Sequence, residues 1–212
     1  MNRADQTQSD RNDEESRLVA RARAGDVAAM GVLLEAYRQR VFGLCSRMVN
    51  HREDAADLTQ DILTKMITGL SGFDGRSSLS TWVYRLTLNT SISHLRRRRT
   101  ARAASGKIAN AIPGPGTGGS WPDSAVASEP GGEQHVQTSE QRELLLTALD
   151  QLGDEARALL VLRDGRDLDY ETISEILDLP LGTVKSRLFR ARVALRKALA
   201  ELERPAARTA AQ

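Results

Sequence analysis

Apolar residues return at intervals of three and four along most of this chain, the period of a helix that buries one face. Val27, Met30, Leu33, Leu34, Tyr37, Val41, Cys45 and Met48 keep that step and predict one long helix, with Cys45 on its core side. Ala55, Leu58, Ile62, Met66 and Leu70 predict a second. After the turn-rich stretch GLSGFDGRSS, Leu79, Trp82, Val83, Leu86 and Leu95 predict a third, for which Ser78 or Ser80 can act as N-cap. The leucines between Leu144 and Leu162 predict two short helices broken at Gly153. Tyr170, Ile173, Ile176 and Leu177 then share a face behind Asp169 as N-cap, and Val184, Leu188, Ala191 and Leu195 form the buried side of a last helix. Asp178, Leu179 and Pro180 break the pattern between these two. The whole reads as an all-α fold.

Composition divides the helices into two small domains. Ala103 to Thr138 holds four of the six prolines and a run of glycines, a stretch that cannot form a core and reads as a flexible linker. The expected boundaries are a disordered tail at 1–15, a first domain at 16–102, the linker at 103–138, a second domain at 139–203 and a tail at 204–212. One cysteine and three histidines provide neither a disulfide framework nor a zinc set, so a reducing cytoplasm is expected, with no metal and no cofactor. The polar start MNRADQTQSDRNDEES is unlike a signal peptide, and no apolar run reaches membrane-spanning length, so no membrane insertion is expected.

The net charge of +2 conceals segregation. Residues 76–122 carry 8 basic and no acidic side chains, whereas 123–212 carry 12 basic and 16 acidic. Within the latter, Leu179 to Ala200 holds six basic residues and no acid. That segment, with the short helix and turn before it, reads as a helix-turn-helix that binds duplex DNA. Its second helix turns Lys185, Ser186, Phe189, Arg190 and Lys197 away from the apolar side. Arg or Lys can pair with guanine edges, Ser with several partners, and a Phe ring with a thymine methyl, so Lys185, Ser186, Phe189 and Arg190 are assigned to base readout. Thr183 and Arg187 are assigned to phosphate, helped by free backbone N–H groups where Gly182 and Thr183 open the helix. The third helix of the first domain ends in Arg96, Arg97, Arg98 and Arg99 behind polar Asn89, Thr90, Ser91, Ser93 and His94. A basic helix beside aromatic residues suits unpaired bases.

The order of these motifs resembles the bacterial sigma factors, specifically the small two-domain extracytoplasmic-function group of the sigma-70 family. DAADLTQDILTKM at 54–66 is similar to the region-two helix that docks on the clamp helices of RNA polymerase. FDGRSSLSTWVYRLTLN at 73–89 is similar to the promoter-melting segment, and GTVKSRLFRAR at 182–192 to the region-four recognition helix. The resemblance implies an alternative sigma factor, not an enzyme, that brings core polymerase to promoter DNA, reads the upstream element as duplex and melts the downstream one. It implies polymerase contacts from Asp57, Leu58, Gln60 and Asp61. It implies that Phe73 and its loop hold a flipped base, that Asn89 helps to read it, and that Trp82, Arg85, Ser93, Arg96 and Arg97 belong to the same surface. Trp82 keeps register with Leu79, Val83 and Leu86, which favours core packing over base stacking. The groove formed by the Leu144–Leu162 helices would receive the polymerase flap tip, and an anti-sigma factor is implied as regulator. Two positions depart from the family pattern. Ser93 stands where an acidic residue is usual, and Asp178 stands where glycine is frequent in the turn, a place Asp tolerates because it visits the left-handed region.

Two other readings fit less well. The first alternative is a helix-turn-helix transcriptional regulator acting without core polymerase; in its response-regulator form a receiver should precede the helix-turn-helix, and the first domain lacks the alternating strands and clustered aspartates of one. A metal-dependent nuclease could use Asp54, Asp57 and Asp61 on one helical face, but no second carboxylate cluster or histidine is placed to complete its site.

Overall fold

The computed structural model describes residues 3–104 and 132–203. It contains helices α1 (Arg3–Arg23), α2 (Val27–Val49), α3 (Arg52–Gly69), α4 (Leu79–Ala104), α5 (Gly132–Asp150), α6 (Asp154–Arg166), α7 (Tyr170–Leu177) and α8 (Leu181–Leu202), with one 3-10 turn at Leu70–Gly72 and no strand among the described residues. The fold is all-α, in two helical domains.

In the first domain α2 is the central helix, packed against α1, α3 and α4. Leu44, Cys45, Met48, Ile62 and Leu88 are buried where they meet. Asp26 caps α2 through its carboxylate, which accepts from the Ala29 N–H at 3.0 Å. That bond, with the Arg21 guanidinium beside it, holds the Asp26 carboxyl below the usual carboxylate range. Helix α2 ends at Asn50, whose left-handed backbone is the conformation a C-cap requires and one that Asn adopts readily. Ser78 caps α4 by accepting from the Thr81 N–H at 3.0 Å. Burial pushes the Cys45 thiol up to about 11, which keeps it protonated and inert.

Two expectations change here. Helix α1 occupies most of the segment read as a disordered tail, and Glu15 is anchored by the Tyr37 hydroxyl, which donates to Oε1 at 2.6 Å. The apolar stripe of α1, Leu18, Val19 and Ala22, spans only its last turns, so periodicity carried no signal for the rest. Val27, placed on the core face by spacing, is 84% exposed, because the buried face at this end of α2 is centred on Ala29 and Leu33, which are 1% and 3% exposed.

In the second domain α8 packs on α5, α6 and α7 around Leu159, Leu162, Ile173, Val184 and Leu188. Gly153 separates α5 from α6, as the sequence predicts. Of the predicted linker, α4 takes 103–104 and α5 takes 132–138, while 105–131 and the tail from 204 lie outside the described residues.

The domains touch through α4 against α6 and α7, and through α2 against α6. Arg157, 2% exposed, donates from Nε to the Leu149 carbonyl at 2.9 Å and from Nη1 to the Met48 carbonyl across the junction. Its Nη2 lies 2.8 Å from Asp150, whose other oxygen accepts from Asn50 Nδ2 at 2.8 Å. Desolvation lowers the Arg157 pKa, with Asp150 and Asp154 opposing it. Arg99 forms a two-point pair with Asp154 at 2.7 and 3.0 Å. Arg166 Nη2 donates to the Arg40 carbonyl at 2.6 Å beside Gly43, where a Cβ would lie 2.5 Å from that nitrogen.

Candidate nucleic-acid and polymerase interfaces

Helices α7 and α8 meet at the turn of a helix-turn-helix. Asp169 caps α7 by accepting from the Thr172 N–H at 2.6 Å, and that bond holds its carboxyl below the usual range. Asp178 closes the helix at φ 52°, ψ 50°, the left-handed conformation expected of it. Around it the Leu179 N–H donates to the Ser174 carbonyl at 3.1 Å, and the Ser174 hydroxyl returns a bond to the Leu179 carbonyl. The turn is thus fixed from both sides. Val184, Leu188 and Ala191 lock α8 into the core, which leaves Lys185, Ser186, Phe189 and Arg190 on the exposed face. Phe189 is 67% exposed, a large apolar ring offered to solvent.

The remaining side chains of this helix are partly engaged. Arg187 pairs with Glu155 at 2.8 Å, and the Ser186 hydroxyl donates to the Thr183 carbonyl at 3.0 Å. The backbone donors at the start of α8 differ from expectation: the N–H groups of Thr183 and Val184 both donate to the Pro180 carbonyl, so Thr183 offers no free N–H to a phosphate. Pro180 precedes the helix with its carbonyl turned inward and takes up these donors itself. Tyr170 is a contact the spacing did not reveal. Its ring has the Arg163 guanidinium 5.2 Å and the Lys185 ammonium 5.6 Å from its centre, which steadies a side chain assigned to base readout.

On α4 the expected surface divides. Asn89, Ser93, Arg96 and Arg97 are exposed, and the first three share one wall of a cleft of about 310 Å³. Glu155, Leu179 and Arg187 of the second domain stand on its other wall. Arg85 instead donates to the carbonyls of Glu175 and Ile176 at the end of α7. Phe73, expected to hold a base, is 8% exposed, its ring 5.7 Å from that of half-buried Trp82 at 53°. It follows the 3-10 turn, which aims it inward, so it buttresses the loop and is closed to a flipped base in this arrangement. Trp82 also packs over Gly69, where a Cβ would come within 3.1 Å of the indole.

On α3, Asp57, Gln60 and Asp61 are exposed, whereas Leu58 is 2% exposed. Leu58 shares its phase with Ala55 and Ile62, all of them core, and cannot touch a partner. Asp54, on the same helix, is taken up by Arg98 at 2.7 Å with His94 and His51 close by. Asp54, Asp57 and Asp61 are therefore not a free trio, and among the described residues no group of three acids, histidines or cysteines could hold a metal ion. No helix among them is long and apolar enough to cross a membrane. The junction residues Arg157 and Asp154 went unnoticed in the sequence. The signal was there for Arg157, since its phase with Leu160 and Val161 places it on the buried side.

Residues 33–101 match the model of sigma-70 region 2, and residues 142–203 match that of sigma-70 region 4. The chain is 32% identical over 197 residues to the RNA polymerase sigma-H factor of Pseudomonas aeruginosa, covering 92% of this chain and 98% of that one. It is 33% identical over 178 residues to the ECF RNA polymerase sigma-E factor of Escherichia coli K12, covering 84% and 90%. Its fold is similar to that of the sigma factor RpoE of Bartonella quintana, solved with the anti-sigma factor NepR, at TM-score 0.61 and 21% identity over 84% of this chain and all of that one. CnrH, solved with the cytosolic domain of CnrY, has a similar fold at TM-score 0.58 and 21% identity, over 88% and 96%. With both sigma regions present in order and full-length relatives above 30% identity, the chain belongs to the extracytoplasmic-function group of the sigma-70 family, the alternative sigma factors of transcription initiation.

Proposed function

We propose that this sigma factor, a non-catalytic cytoplasmic protein, divides its work among three helices. The exposed acidic and polar side chains of α3, Asp57, Gln60 and Asp61, dock on the clamp helices of core RNA polymerase. The face of α4 with Asn89, Ser93, Arg96 and Arg97 captures the melted downstream element, and Arg85 joins it when released from α7. The exposed face of α8 enters the major groove of the upstream element, with Lys185, Ser186, Phe189 and Arg190 at base edges and Arg187 near phosphate. The groove of α5 and α6 receives the flap tip, and an anti-sigma factor is the natural regulator. One solved protein of similar fold, the sigma factor RpoE of Bartonella quintana, carries one, which supports that part.

The observation that carries the reading is the separation of an acidic exposed face on α3 from basic exposed faces on α4 and α8. Polymerase and DNA can thereby be engaged at once. Run-off transcription with core polymerase is the test: the protein should direct initiation from specific sites while binding promoter DNA weakly alone. A tight specific shift by the protein alone, with no polymerase-dependent transcript, would favour a regulator that acts without polymerase. Replacing Asp57 and Asp61 together with Lys should abolish capture of core polymerase while circular dichroism stays unchanged. Undiminished capture would remove α3 as the docking surface.

A further inference from the structure

We infer that Tyr170, which stands outside the base-reading face, sets part of the sequence preference of α8 by directing Lys185 at its base. The inference rests on the reading of Lys185 as a base reader. Arg187, Arg192 and Lys197 of the same helix meet Glu155, Asp164 and Glu201, whereas the ammonium of Lys185 meets a ring, 5.6 Å from the centre of Tyr170. The difference matters to recognition. A carboxylate would neutralise the lysine and compete with a guanine edge for it, but an aromatic face attracts the cation and leaves its N–H donors for the base. A flexible lysine also loses conformational freedom when it pairs with a base, and one already directed loses less.

Tyr170 is placed firmly enough to act as a guide. It is the first residue of α7, whose start is fixed by the Asp169 carboxylate on the Thr172 N–H at 2.6 Å. Just before it, the Leu168 N–H donates to the Leu162 carbonyl at 3.2 Å, and the Leu168 carbonyl accepts from Arg163 Nη1 at 2.8 Å. The same Arg163 guanidinium lies 5.2 Å from the centre of the Tyr170 ring. At the other end of the side chain the Tyr170 hydroxyl lies beside Arg192, whose pKa is raised by Asp164 first and by this hydroxyl in smaller part. Helix α6 thus fixes the ring, and the ring presents Lys185 across the turn. A guide of this kind touches no base, so its effect belongs at the base pair that Lys185 reads and at no other.

The test uses the full chain with core polymerase on promoters mutated singly through the upstream element. Lys185→Ala first identifies the base pair whose preference depends on the lysine. At that pair Tyr170→Leu should lower discrimination about two- to fivefold, the range expected of a cation–π contact at an exposed site, and leave the other pairs unchanged. Tyr170→Phe, which keeps the ring, should keep the preference. Phenylalanine carrying one, two or three fluorines at position 170 weakens the attraction of the ring for a cation with little change of shape, so discrimination should fall stepwise along that series. In a Lys185→Ala background the series should have no effect. Should Tyr170→Leu fail to fold, the fluorine series still reports the contact, since each member keeps the ring that packs there.

Discrimination that stays constant along the fluorine series would overturn the guiding role while leaving Lys185 a base reader. A loss spread evenly over all base pairs, or one that persists in the Lys185→Ala background, would make Tyr170 a packing or phosphate-binding residue and overturn the guiding role as well. Preferences untouched by Lys185→Ala would overturn the base-readout reading of Lys185 and this inference with it, and run-off transcription would still report sigma activity independently.

Discussion

Helix α4 carries Arg85, Arg96, Arg97, Arg98, Arg99 and Arg102, and α8 carries Lys185, Arg187, Arg190, Arg192, Arg196 and Lys197, but the two helices use their charge differently. On α4 three arginines are bound within the protein: Arg85 to α7 carbonyls, Arg98 to Asp54 and Arg99 to Asp154. Arg96 and Arg97 stay exposed. On α8 Arg187 pairs with Glu155, Arg192 with Asp164 and Lys197 with Glu201, and the face opposite the core keeps Lys185 and Arg190 exposed. A run of positive charge therefore says little about which members meet DNA. The helical phase of each one relative to neighbouring acids decides it.

The strongest test of this contrast sets Arg190 against Arg96. Arg190→Ala should cost ~1–3 kcal/mol of binding at the upstream element and relax preference at one or two base pairs, with thermal stability unchanged. Arg96→Ala should weaken the downstream element evenly across sequences and lower the salt slope by about one. Initiation on promoters mutated singly through both elements reads the two patterns apart. A uniform loss from Arg190→Ala would mean that it holds phosphate, and readout would pass to Lys185 and Ser186.

Arg98 provides the complementary case. It is half-buried against Asp54, so Arg98→Ala should lower stability by ~1 kcal/mol and leave downstream-element binding little changed relative to Arg96→Ala. Denaturant unfolding and strand binding measured on the same variant check both halves. A large binding loss with normal stability would place Arg98 on the DNA side of the contrast.

The fold was legible wherever burial follows a strict period: Ala55, Leu58, Ile62 and Met66 on α3 are all buried, as are Val184, Leu188 and Ala191 on α8. The caps were legible too, since Asp169 and Ser78 act where short polar side chains precede apolar runs. Helix α1 was not, because its polar turns have no stripe, and its described anchors, among them Glu15, Leu18, Val19 and Ala22, lie in its C-terminal half. At the candidate sites, residue type misled for Leu58 and Phe73: each fits a family motif, while local phase or a preceding turn sends the side chain into the core. The pairing of Arg85 with α7 joins residues about 90 positions apart, a relation no local pattern encodes.

A smaller effect tests the turn that positions α8. Asp178 holds a left-handed backbone without the freedom of glycine. Asp178→Gly should relieve that strain and stabilise the second domain, an increment held to ~1 kcal/mol or less by the greater entropy of glycine in the unfolded chain. DNA binding by α8 should not change, because position 178 lies in the turn before α8, outside the Lys185–Arg190 face. A drop in upstream binding with normal stability would show that Asp178 contributes more than backbone geometry.

The smallest effect concerns the caps on either side of that turn. Helix α7 is capped by the Asp169 carboxylate, whereas Pro180 gives α8 no side-chain cap. The Thr172 N–H lowers the Asp169 pKa in the folded state. A carboxyl whose folded pKa is depressed adds stability that is present above its unfolded value near ~3.9 and is lost as pH falls through the folded value. Asp169→Ala should therefore cost only the low end of ~0.5–2 kcal/mol at neutral pH, because the site is exposed, and the difference from the parent should shrink on acidification below about pH 4. Thermal melts of parent and variant from neutral to acid pH measure this convergence. A gap that persists in acid would mean that the protonated side chain still caps α7, so that geometry and not charge sets how α7 presents α8 to DNA.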